Sequence, residues 1–286
     1  MKIRELGEFG LIDRIRRALP ESGPGVLVGI GDDTAVLQTD AGRLLLATCD
    51  TQREGIHFLR NAVSPENIGR KALAINLSDI ASMGGRPRFA LVSLGLPDNL
   101  PVAFIDGLYA GLRMEAEQAG TTIVGGNISL SRAGVTIDIT LLGDILPDQI
   151  LPRSGARPGD KVLVTGTVGD AAARGALVLD AALFTTREYA QIAAGQWIAA
   201  THTATAMIDI SDGLAGDLGH LCESSGVGTR LFAEKLPVRT ENRTLSSAKY
   251  GDEWHFALHG GEDYELLFTV PANQAAPLAA RLTMET

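Results

Sequence analysis

Short runs of Val, Ile and Leu alternate along this chain with longer stretches of helical periodicity, and that alternation restricts the fold more than any other feature: it specifies an α/β protein. The runs that read as strands are Val26–Ile30, Leu44–Cys49, Phe89–Leu96, Thr122–Val124, Val135–Leu142, Val162–Thr165, Ala206–Ile210 and Glu265–Val270. Helical periodicity covers Pro65–Met83, Pro101–Ala119, Gly213–Ser224 and Ala272–Leu282. Ser64 is placed to cap the first of these helices, Pro65 suits its first turn, and Gly84–Gly85 stop it. Gly120 and Gly226 mark the ends of the next two. Between the two halves lies Pro147–Asp160, with three prolines and two glycines, which reads as a linker. The expected division is therefore an N-terminal domain over 1–146 and a C-terminal domain over 147–286.

Several of the apolar runs finish on acidic or amide side chains. VLVGIGDD ends on Asp32 and Asp33, LLLATCD on Asp50, and TTIVGGN on Asn127, while AMIDISD carries Asp209, Ser211 and Asp212. In open α/β sheets ligands collect beyond the carboxyl ends of strands. Carboxylates gathered in a low dielectric need cations, and hard oxygen donors select magnesium, calcium or manganese over zinc. Asp79 is the sharpest case. In NIGRKALAINLSDIASM it shares a helix face with Ile68, Ala72 and Ile75, and Leu73, Leu77 and Ile80 make most of the remaining surface apolar. A carboxylate on such a helix either holds a metal or pairs with a cation, for which Lys71 and Arg70 are the local choices. The other residues have plain readings too. Asp212–Gly213 is a turn and helix-start signal in which Ser211 or Asp212 caps, Asp32–Asp33 can be a solvated turn, His57 an ordinary histidine and Arg153 a solvated loop residue. The coincidence of several such sites in one chain points to metal binding, without naming a reaction.

Composition narrows the partners. Across 286 residues there are 25 Lys and Arg against 34 Asp and Glu, a net charge of −9, which argues against nucleic acid and anionic membrane. An acidic site still accepts polyphosphate when divalent ions lie between the two sets of oxygens. Cys49 and Cys222 form no C-x-x-C pair, so neither a zinc nor a disulfide framework is expected. No apolar run approaches the roughly 20 residues of a spanning helix, and MKIRELGEFG lacks the apolar core of a signal peptide. The expectation is a cytoplasmic protein. The G-x-x-x-x-G-K-[ST] phosphate loop is absent, and Gly29-Ile-Gly31-Asp-Asp-Thr34 fails the dinucleotide fingerprint at its last position. H-E-x-x-H, G-x-S-x-G and the protein-kinase signatures are missing as well.

Taken in order, the segments GEFGLI (7–12), GIGDDTAVL (29–37), CDTQREGIHF (49–58), KALAINLSDIASMGGRP (71–87), IVGGN (123–127), PRSGARPGDKVLVTGTVGD (152–170), IDISDGLAGDLGHL (208–221) and HGGEDYELLFTV (259–270) resemble the thiamine-monophosphate kinases. That family belongs to a superfamily with aminoimidazole ribonucleotide synthetase and selenophosphate synthetase. The resemblance covers most of the chain, and IDISDGL with HGGEDYEL favours the kinase over its relatives. It implies a two-domain α/β (α+β) fold of the aminoimidazole ribonucleotide synthetase type, and a homodimer whose N-terminal sheets pair into a barrel. It further implies transfer of the ATP γ-phosphate to thiamine monophosphate with the help of several magnesium ions. Carried over position by position, the metal ligands would be Asp33, Thr48, Cys49 (through its carbonyl), Asp50, Asp79, Asp209 and Asp212, with Asp50, Asp79 and Asp212 at the chemistry. Gly126, Asn127, Arg153 and Ser211 would contact ATP, while His57 and Glu262 would line the acceptor pocket. Two departures stand out: the family usually carries Asp where this chain has Asn127, and relatives continue beyond Thr286 with a strand and an aromatic residue over the substrate. The resemblance therefore implies a copy shortened at its end, with weaker acceptor binding.

Overall fold

A computed structural model describes residues 10, 12, 25–39, 42–177 and 191–285. Apart from Gly10 and Ile12, the GEFGLI segment lies outside the described residues. In chain order the first half comprises β1 (Val26–Val28), β2 (Ala35–Gln38), β3 (Leu44–Arg53), α1 (Pro65–Ser82), β4 (Arg86–Leu96), α2 (Val102–Ala119), β5 (Thr122–Leu130) and β6 (Thr136–Ile145). The second half continues with β7 (Lys161–Val164), α3 (Asp170–Leu177), α4 (Ile192–Ala200), β8 (Ala206–Asp209), α5 (Leu214–Ser225), α6 (Thr240–Tyr250), α7 (His255–His259), β9 (Leu266–Val270) and α8 (Ala275–Glu285).

The strands form two sheets, one ordered β1-β2-β3-β6-β4-β5 and the other β7-β9-β8. Every pairing is antiparallel except β4 with β5, which α2 connects as a crossover helix. Helices α1 and α2 cover one face of the larger sheet. There Leu46, Val92, Leu94, Ile137, Ile139 and Leu141 meet Leu73, Leu77, Leu108 and Leu112 in one apolar cluster. Among the described residues nothing covers the other face, which exposes Phe89 and Leu91, while the edge strand β5 exposes Val124, Ile128 and Leu130.

Helix α1 is the pivot between the halves. Ser64 accepts a hydrogen bond from the Asn67 amide at 3.2 Å, Pro65 opens the first turn, and Met83 closes the helix just before Gly84–Gly85, as the sequence indicates. Nearly every residue of α1 is buried. Ile68 to Ile80 serve the first core, whereas Ala81 joins Leu151, Ile198, Met207 and Phe268 in the second. Two close approaches hold it. A Cβ on Gly111 of α2 would stand 1.8 Å from the Glu66 carbonyl oxygen, and one on Gly195 of α4 2.2 Å from that of Ala81.

Several elements differ from the sequence reading. β3 runs on to Arg53 and β5 to Leu130, so Asp50 and Asn127 lie within strands instead of ending them. The reason is pairing: β3 is hydrogen-bonded to β6 over its whole length and β5 to β4, and ladder formation overrides the poor strand propensity of Gly and Asn. β2, α3, α4, α6 and α7 were not legible; α4, IAAGQWIAA, is too uniformly apolar and small to show a period. Gly120 and Gly226 do end their helices, in the left-handed conformation.

Gly111→Ala should destabilise the protein by about 2 kcal/mol or more, because the clash is with backbone and only separation of α1 from α2 relieves it. Urea unfolding of the two proteins checks this; an unchanged midpoint would show that the helices are not held at this distance.

Candidate active site

Alternation along β3 sends Leu46, Thr48, Asp50 and Gln52 toward α1 and Cys49 to the uncovered face, where its thiol meets the Thr140 hydroxyl at 3.6 Å. Opposite this row, α1 presents Lys71, Asn76, Ser78, Asp79 and Ser82. The GDD turn before β2 and the end of β8 bring Asp33 and Asp209 to the same place. Carboxylate oxygens of Asp33, Asp79 and Asp209 lie within 4.8 Å of one another.

Each of the three accepts a hydroxyl hydrogen bond. Thr48 donates to Asp79 at 2.5 Å, Ser78 to Asp209 at 2.6 Å and Ser82 to Asp33 at 2.8 Å. Arg153 adds a guanidinium to Asp33, with its Nε at 3.0 Å, and donates its backbone amide to Asp32 at 3.1 Å. These contacts do not remove the repulsion. Burial raises the Asp79 carboxyl well above the usual range, and the charges of Asp209, Asp50 and Asp33 raise it further. Asp209 is raised by burial and then by Asp33, and Asp32, pushed up by burial and by Asp33, reaches about 6. The alternative of a structural ion pair at Asp79 falls away, because Arg70 pairs with Glu115 at 3.0 Å and Lys71 with Glu262 at 2.5 Å. Three hard oxygen donors, oriented by hydroxyls and short of positive charge, fit a divalent cation such as magnesium.

The turn at Ser211–Gly213 is built differently from the cap that the sequence suggests. Neither Ser211 nor Asp212 caps α5. Instead, one oxygen of Asp217 accepts the amides of Ser211, Asp212 and Gly213 at 3.1, 3.1 and 3.0 Å, leaving the Asp212 side chain exposed. Burial, then the charge of Asp212, pushes Asp217 up to about 7. The GGEDYE turn opposes this one. Glu262 and Tyr264 hold positive φ, +69° and +51°, a conformation costing roughly 1–3 kcal/mol each for residues with side chains. It persists because their amides donate to the carbonyls of Ser211 and Ile210, both at 2.8 Å. The Tyr264 phenol is raised well above 10, first by burial and then by Glu262, Asp209, Asp50 and Asp79. Asp217 and Tyr264 are site residues that the sequence reading missed. Nothing in the local pattern marks them, since both owe their position to turns packed from elsewhere.

His57 and Glu262 are brought together through Lys71, whose ammonium also reaches the His57 carbonyl at 3.2 Å. The His57 Nδ1 accepts the Arg53 amide at 3.0 Å, so its neutral form carries the proton on Nε2. Gly126 and Asn127 stand apart. Asp50, Ile139, Val92 and Gly126 form one transverse row, placing Gly126 three strand spacings, about 14 Å, from Asp50. Asn127 shares its row with Thr51, Asp138 and Ser93, on the uncovered face.

Residues 31–145 match the N-terminal domain of AIR synthase related protein and residues 157–283 its C-terminal domain, so fold and site define a member of that class. The chain is 40% identical to the thiamine-monophosphate kinase of Aquifex aeolicus over 97% of its own length and 90% of that protein's. It is 39% identical to that of Salmonella typhimurium, over 93% and 83%. A solved structure described as AaThiL complexed with AMPPCP and TMP superposes with a TM-score of 0.84 at 39% identity, covering 96% of this chain and 88% of that one. The chain belongs to the thiamine-monophosphate kinase family.

Because Asp32, Asp79, Asp209 and Asp217 all have raised pKa values, the folded metal-free chain holds protons that the unfolded chain has released. Their contribution to stability should fall as pH rises from the ordinary 3.8 through about 6 for Asp32 and about 7 for Asp217, with Asp79 and Asp209 acting in the same direction. Magnesium competes with those protons, so it should raise the melting temperature more at pH 8 than at pH 5. Thermal melts in chelator and in magnesium at both pH values check this; a larger shift at pH 5 would contradict it.

Proposed function

We propose that this chain transfers the γ-phosphoryl group of ATP to thiamine monophosphate, producing thiamine diphosphate and ADP. The observation that carries the reading is the convergence of Asp33, Asp79 and Asp209, from three distant stretches of chain, at the helix whose Lys71 joins the His57 carbonyl to the Glu262 carboxylate. Phosphoryl transfer asks little covalent work of a protein and much positioning of charge. An oxygen of the acceptor phosphate forms a bond to the γ-phosphorus as the bond to the β,γ-bridging oxygen breaks and ADP departs. A phosphate nucleophile needs no strong base, so the principal obstacle is repulsion between two anions. Magnesium bound by Asp33, Asp79 and Asp209, with Thr48, Asp50 and Asp212 nearby and the Cys49 carbonyl as a further donor, would neutralise that charge. Arg153 supplies a guanidinium for phosphate oxygens, in competition with Asp33. Ser211, on the turn fixed by Asp217, faces the same region.

We assign residues 1–146 to the metal- and nucleotide-binding domain and 147–286 to the second domain. The homodimer belongs to the same proposal. The large sheet leaves one face and the β5 edge exposed with Phe89, Leu91, Val124, Ile128 and Leu130 on them, a surface that a second copy would cover. Dimerisation would also give Gly126 and Asn127 a role in nucleotide binding, since within one chain they stand across the sheet from Asp50. No helix among the described residues is long and apolar enough to cross a membrane. ATP and magnesium as co-reactants agree with the cytoplasm as the place of work.

Purified protein supplied with ATP, magnesium and thiamine monophosphate should yield thiamine diphosphate and ADP in equal amounts. Nucleotide binding without product would instead point to a non-catalytic relative, with Asn127 the first residue to restore to Asp. Asp50→Asn should lower kcat by roughly 10²–10³-fold with the melting temperature preserved, because its charge acts at the reacting phosphates. Unchanged turnover would remove Asp50 from the site.

A further inference from the structure

Lys71 lies on the first turns of α1, far along the helix from Asp79, and its side chain is only 8% exposed. One ammonium there serves two halves of the chain. It donates to the Glu262 carboxylate at 2.5 Å, across 191 positions of sequence, and to the His57 backbone carbonyl at 3.2 Å. A buried ammonium has given up most of its hydration, so these partners are obligatory for it. Glu262, by contrast, is 43% exposed and is not held by burial. Its backbone is fixed within its own half by the hydrogen bond that its amide donates to the Ser211 carbonyl, and the neighbouring Asp263 carboxylate accepts from the amides of Gly169 and Ala171. The direction of the Glu262 side chain is set from the other half, by Lys71.

The cleft beside this contact is lined by Gln52, His57, Phe58, Val63, Ile68 and Lys71. Gln52 is buried and its Oε1 has no hydrogen-bond partner among the described residues. The cleft has about 20 Å³ of free space, room for one water or a single ligand donor, and Gln52 Oε1 is the acceptor left for it among the described residues.

We propose that Lys71 is the positioning residue of the acceptor pocket. By holding the Glu262 carboxylate and the His57 carbonyl on one ammonium, it fixes the span between the two side chains that take the phosphorylated acceptor, and it does so without contributing to the nucleotide site. This rests on the kinase reading above.

Lys71→Met keeps the aliphatic stem and removes the charge. Glu262 can then turn to water, so no isolated charge is left buried and the variant should fold. The Michaelis constant for thiamine monophosphate should rise about tenfold or more, while that for ATP stays within about twofold and Lys71→Arg recovers part of the loss. Lys71→Met combined with Glu262→Gln should lose less than the product of the two single losses, because both changes break the Lys71–Glu262 contact. Multiplied losses in the double variant, or equal rises in both Michaelis constants, would overturn the proposal. If the unaltered chain makes no thiamine diphosphate, the kinase reading fails by itself. The role of Lys71 is then read from the side-chain carbon resonances of Glu262. Lys71→Met should shift them and leave the Glu262 amide, held by the Ser211 carbonyl, as protected as before; unchanged side-chain resonances would overturn it.

Discussion

Three carboxylates confined in a buried space repel one another, and much of this structure consists of the means by which they are kept there. Asp33, Asp79 and Asp209 come from a turn, a helix and a strand end, and none could hold its position against the others alone. Their confinement is the work of α1. The helix contributes Asp79 itself and the hydroxyls of Ser78 and Ser82, which reach Asp209 and Asp33. It is in turn fixed on both sides by backbone approaches too close for any side chain, at Gly111 and Gly195. A cation at this point would turn the least favourable electrostatic feature of the fold into its strongest tie between halves.

The same helix carries a second junction one or two turns from its start. Arg70 is spent on Glu115 inside the first half, while Lys71 reaches the second half at Glu262. The carboxylate cluster and the Lys71–Glu262 contact thus lie about two turns apart on one helix, and a change in the packing of α1 would be felt at both. That arrangement suits in-line transfer between two anionic substrates, where the distance between sites matters more than the reactivity of any single group.

How far the sequence reveals this depends on the range of the interaction. Asp79 was legible because helical periodicity alone places a carboxylate on an apolar surface, and Asp33 and Asp209 because they follow apolar runs. Ser64 and Gly84–Gly85 were legible because capping is local. The destination of Lys71 was not: its own helix offers Glu66 and Asp79, and only the fold shows that it reaches Glu262 instead. Asp217 and Tyr264 were invisible for a similar reason, as their surroundings come from distant turns. The extent of β5 through Gly125, Gly126 and Asn127 was missed because sheet pairing, not residue preference, decides it. That strand also removes Asn127 from the carboxylate cluster of its own chain, which no reading of GGN as a strand end would suggest.

The direct test of the account is diffraction from crystals grown with manganese and a non-hydrolysable ATP analogue, recorded at the manganese absorption edge. The account predicts an anomalous peak bonded to oxygens of Asp33, Asp79 and Asp209 and to the triphosphate. Manganese bound to the analogue but away from these three side chains, with Asp79 retaining its present contacts, would contradict it.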